Sequence, residues 1–121
     1  MTKHNPELID IKTLKDAKKE ITKIGSDKES LEIMSPKTIT KIIKLKYVTL
    51  QDAIIIKQDM LSIGGEVAVP RQTFELKDKK ADILVIGNIA QHKLLIEKLK
   101  RHYNRIKIIA EELESFLMEI L

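Results

Sequence analysis

Apolar residues recur along this chain at two spacings, and the positions where the spacing changes carry residues that start or stop secondary structure. Leu14, Ala17, Ile21 and Ile24 follow the helical period, with Thr13 placed as N-cap, Asp16 three positions on, and Gly25 as the stop. Ahead of this helix, residues 8–12 read as a short strand. After a turn at 26–30, Leu31 and Ile33 alternate briefly until Pro36 breaks the segment. Residues 39–48 give the best strand, with Ile43, Leu45 and Tyr47 on one face and Lys44 and Lys46 on the other. Thr49 then caps a second helix, 50–63, which ends at Gly64-Gly65.

Residues 66–69 form a strand that Pro70 stops, and 71–81 is a polar connection with a ragged strand around 73–76. Residues 82–86 read as a buried-type strand, apolar on both faces. Gly87 and Asn88 turn it into a third helix, where Gln91 completes a capping box. A fourth helix runs from about residue 105 to the end, with Ile106, Ile109, Leu113, Phe116, Leu117 and Ile120 as its stripe. The order β-α-β-α-β-β-α-α predicts an α/β (α+β) fold, with helices packed on a mixed sheet of four to five strands. No repeat or Pro/Gly-rich linker divides the chain, so residues 1–121 are expected to form a single domain with 1–7 as a loose tail.

Length and composition narrow the chemistry. At 121 residues the chain is far short of the roughly 250 of a (β/α)₈ barrel. With no Cys, it has no disulfide, thiolate zinc site or Cys nucleophile, which suits a reducing compartment. The first residues lack a signal-peptide core and the apolar runs are too short to span a bilayer, so a cytoplasmic protein with no membrane partner is expected. The formal charge of +4 raises nucleic acid as a partner, but Lys15, Lys18, Lys19 and Lys23 alternate with Asp16 and Glu20, as on a solvated face.

A few residues break the pattern. Lys57 lies near the centre of the apolar arc formed by Leu50, Ala53, Ile54, Ile56, Met60, Leu61 and Ile63. Its ammonium must therefore snorkel, pair with a carboxylate or meet an anion. Ile55 projects to the polar side, which suggests an intermolecular contact, whereas Asp59 lies off the arc and needs no explanation. His92 sits within the arc of Ile89, Leu95, Ile96 and Leu99, where a hydrogen-bonded core histidine is the ordinary explanation. The Gly87-Asn88 turn offers backbone N–H groups at a helix start, a geometry able to hold a phosphate or carboxylate. No catalytic constellation or metal-ligand spacing can be assembled, and no cofactor is implied.

One stretch is more specific. Met34 with Pro36-Lys37, residues 42–45, Ala53, the run 56–69 (IKQDMLSIGGEVAV), residues 82–87, Gln91 and residues 95–100 together resemble the N-terminal extension of long-form dihydropteroate synthases. The resemblance covers about residues 8–100. Asp59 stands where that family usually has Glu, and the tail from Arg101 departs from its pattern. The barrel segment that follows in the family, which carries its pterin-binding and catalytic residues, has no counterpart here.

The resemblance implies a non-catalytic accessory domain, stand-alone or the first segment of a longer enzyme, acting with a separate pterin-binding barrel enzyme in folate or methanopterin biosynthesis, or self-associating. The alternative is a module for a small anion such as a pterin phosphate, with Lys57, Arg71, Gly87 and Asn88 as its binding residues. RNA binding through Lys98, Lys100, Arg101, Arg105 and Lys107 is a weaker third, because the chain has only two Tyr and two Phe for stacking.

Overall fold

The computed structural model describes residues 3–71 and 79–121, so the ragged strand expected at 73–76 lies outside the described residues. The chain divides into two compact units, Met1–Ile39 and Thr40–Leu121. In the first, α1 (Leu14–Ile24) begins where the Thr13 hydroxyl accepts from the Asp16 N–H, and ends at Gly25 with φ at 87°. A second helix, α2 (Lys28–Met34), runs into a 3₁₀ turn at Ser35–Lys37, and Lys18 of α1 pairs with Glu32 of α2 at 2.8 Å.

One strand expectation fails in this unit, and a brief alternation proves helical. Residues 8–12 form no strand, and Leu8 is 96% exposed. Leu8, Ile9 and Ile11 do not alternate strictly, so the run has no consistent face to bury. Leu31 and Ile33 belong to α2, since two apolar residues at i, i+2 are too few to separate a strand period from a helical one.

Among the described residues the second unit holds a three-stranded antiparallel sheet, where a mixed sheet of four to five strands was expected. Its strands are β1 (Thr40–Thr49), β2 (Glu66–Ala68) and β3 (Lys80–Asn88), in the spatial order β1-β3-β2. β1 and β2 both run antiparallel to the central β3, so they are parallel to each other and need a crossover, which α3 (Leu50–Ile63) provides. This is a split β-α-β unit. α4 (Ile89–Leu99) and α5 (Asn104–Ile120) follow, so from β1 onward the element order is the expected one.

The caps explain why these helices begin and end where they do. Thr49 Oγ1 accepts from the Asp52 N–H at α3, and Asn88 and Gln91 form a reciprocal capping box at α4. Gly64 ends α3 with φ at 99°, a value that favours glycine. Gly65 and Gly87 serve a different purpose, because a Cβ on either would come within 2.8 Å of the buried Met60 side chain. The core joins Ile43, Val48, Val67, Ile83 and Val85 from the sheet to Ala53, Ile56 and Met60 of α3, Leu95, Ile96 and Leu99 of α4, and Ile106, Ala110, Leu113 and Leu117 of α5.

β1 departs from simple alternation. Leu45 pairs with Ile83 and Val48 with Ala81, so Lys46 and Tyr47 together face Asp82 in a β-bulge. The bulge turns Val48 inward in place of Tyr47, which is 78% exposed and has φ at 57°. Ile55, expected to face outward, packs against the core of its own chain, since α3 is covered on more than one side. No helix among the described residues is long and apolar enough to cross a membrane.

Candidate functional site

The second unit contains a groove of about 790 Å³ along β1, the open edge of the sheet, with α5 as its opposite wall. Ile43, Leu45 and Val48 from the strand and Ile109, Leu113 and Phe116 from the helix give it an apolar lining. Lys44, Lys46, Tyr47 and Lys80 line the strand side, Glu112 lies on the helix side, and Asp52 and Arg105 also contribute.

Asp52 is 1% exposed and fully engaged. Arg105 Nε donates to its Oδ2 at 2.6 Å, Arg105 Nη2 donates to Oδ1 at 2.8 Å, and the Tyr103 hydroxyl donates to Oδ1 at 2.8 Å. Burial pushes the Asp52 carboxyl up, but the bonds from Arg105, Tyr103 and Thr49 together outweigh it and hold the carboxyl below its ordinary value. The same contacts raise the Arg105 guanidinium, and burial followed by the Asp52 charge raises the Tyr103 phenol. The guanidinium carbon lies 5.3 Å from the Tyr103 ring centroid. Arg105 is thereby fixed at the groove, and its Nη1 has no partner among the described residues.

The same face of α3 carries a second tie. His102 Nε2 and Asp59 Oδ2 are 2.8 Å apart, and Lys98 Nζ donates to Ser62 Oγ at 2.7 Å. Asp52 and Asp59, two turns apart on α3, therefore both fasten the α4–α5 connection. Asp59 was expected to need no partner, and Asp52 carried no signal beyond its place after the Thr49 cap. The partners lie 43 to 53 residues away, so only their spacing on one helix face hinted at a shared role.

The residues expected to bind an anion have the following environments. Lys57 Nζ donates to the Val67 carbonyl at 3.1 Å and lies 3.5 Å from Glu66 Oε1. The Val67 N–H and the Lys57 charge hold the Glu66 carboxyl below its ordinary value. Gly87 closes on Met60, and the Asn88 N–H donates to Gln91 Oε1 at 2.8 Å. The sheet register sets Glu66 against Ile86, so Lys57 reaches the end of the sheet where Gly87 and Asn88 lie. Arg71 is exposed at the edge of the described region. Of the basic cluster at residues 98–107, Lys98, Lys100 and Arg105 are tied to Ser62, Glu114 and Asp52.

His92 is 1% exposed, and its Nε2 donates to the Lys41 carbonyl at 2.8 Å. Its Nδ1 is buried without a hydrogen-bond partner among the described residues. Burial pushes the imidazole below its ordinary value, against the smaller opposing effects of the Lys41 and Gly87 backbone. His92 is therefore a neutral core side chain joining α4 to β1.

Together these features define a small α/β domain, with helices on one face of a split β-α-β sheet and an apolar groove at the open edge. Among known proteins, the chain is 30% identical over 100 residues to the bifunctional dihydropteroate synthase/dihydropteroate reductase of Helicobacter pylori. The match takes in 83% of this chain and 26% of the relative, so the chain spans about a quarter of that protein's length. No family description matches, and neither does any solved structure.

Proposed function

We propose that this chain is a dihydropteroate-synthase-related accessory module, corresponding to an N-terminal extension, that acts with a pterin-binding barrel enzyme in folate or methanopterin biosynthesis and catalyses nothing alone. The observation that carries this reading is the similarity over 83% of the chain to 26% of a synthase/reductase. The exposed apolar residues Ile108 and Phe116, on neighbouring positions around α5, support it, because exposed large apolar side chains suit a protein partner. Co-expression with the pterin-binding barrel enzyme of the same genome, followed by size-exclusion chromatography, tests it. Co-elution is expected, and separate elution at micromolar concentration counts against it.

A second reading is favoured by the relative's double name. The matched 100 residues at 26% imply a relative of roughly 380 residues, of which a barrel of roughly 250 leaves on the order of 130 for a second activity. In this reading the chain corresponds to the part that serves the reductase. Tetrahydropteroate formation from dihydropteroate, with NADPH or dithionite as reductant, is then expected only when the chain is present. Equal formation by the barrel enzyme alone removes this reading and leaves the accessory role untouched.

A further inference from the structure

We propose that the groove between β1 and α5 is a binding site for a planar aromatic anion, a ring system bearing a carboxylate or phosphate. The inference stands on the groove itself and depends on neither functional reading. Its volume of about 790 Å³ lies within the roughly 300–1,000 Å³ usual for small-molecule sites. Both walls carry apolar side chains, interspersed with charged ones from the edge strand, from Lys80 and from α5.

The aromatic residues point to the shape of the ligand. The whole chain has two Tyr, two Phe and no Trp, yet Tyr47 and Phe116 both line this groove, one from the strand and one from the helix. Phe116 is 45% exposed although it lies in the apolar stripe of α5. Tyr47 is held at positive φ, which is uncommon for a bulky residue, by a bulge that places its ring outside the core. Bulges recur where a side chain must be re-aimed, and backbone strain of this kind persists where the surroundings enforce it.

The charges point to an anion. Lys80 lines the groove, Lys44 and Lys46 occupy the alternate positions of its edge strand, and none of the three has a carboxylate partner among the described residues. Arg105 adds a guanidinium fixed by Asp52, with Nη1 still free to donate. Against these cations the groove presents Glu112 and the already matched Asp52. A ring between Tyr47 and Phe116, with its acid group turned to Arg105 and Lys80, uses each of these features.

The test is an NMR titration of the full chain with pteroate and with 2-naphthoate, using neutral 2-naphthamide as control. Both acids are expected to shift amides of residues 44–49 and 105–116 saturably, with the control binding about tenfold more weakly. Tyr47→Gly suits the positive φ, so its Tm is expected to equal or exceed that of the parent while affinity falls about tenfold. The proposal is overturned if neither acid shifts these amides at about 1 mM, a concentration at which even weak specific binding registers. Equal binding by Tyr47→Gly, or equal binding of the neutral control, also overturns it. Binding of 2-naphthoate without pteroate supports the site and separates it from the pterin readings.

Discussion

Asp52 is charged because its partners outweigh its burial. With its folded value below the ordinary 3.8, it stabilises the fold above that pH, and the stabilisation is lost as pH falls through the folded value. Arg105→Gln removes its strongest donor and the guanidinium charge, so the carboxyl then titrates higher than in the parent. Acid unfolding followed by circular dichroism is expected to shift its midpoint to higher pH in this variant, and an unchanged midpoint contradicts the assignment. His92 acts in an adjacent window. Its depressed value keeps the folded imidazole neutral, so stability is full above 6.5 and declines below it as the unfolded state takes up a proton. His92→Gln is expected to flatten the pH dependence of Tm just below 6.5.

At the scale of elements, what could be read from sequence was what short-range chemistry determines. Thr13, Thr49 and Asn88 as caps placed the starts of three helices, and Gly25 and Gly64 as stops placed the ends of two. The strand at 8–12 failed because apolar composition alone does not create a partner strand, and the placement of Tyr47 beside Ile43 and Leu45 failed because the bulge at Lys46–Tyr47 depends on register with β3. Gly87 shows the same limit. Its packing role was not visible in the sequence: a Cβ at Gly87 would stand 2.5 Å from the Met60 Cε. Gly87→Ala is expected to cost about 1–3 kcal/mol through overpacking, measured by urea unfolding. A change below a few tenths would mean that Met60 moves aside freely.

At the scale of the molecule, the second unit joins two partly independent devices. The ties from Asp52 and Asp59 fix the α4–α5 connection on α3, and that in turn sets the position of α5 opposite β1. The groove lies between the edge strand β1 and α5, which packs on α4. Neither the ties nor the groove was legible beforehand, since both join residues far apart in the chain. The relation to a dihydropteroate-synthase-containing protein was legible, because it rests on the order and spacing of short stretches along the chain. Isothermal titration of the full chain into the pterin-binding barrel enzyme of the same genome tests the central claim most directly. The account predicts a saturable complex with one chain per barrel and a Kd of about 10 µM or tighter; no heat of binding at about 100 µM, across temperatures, would contradict it.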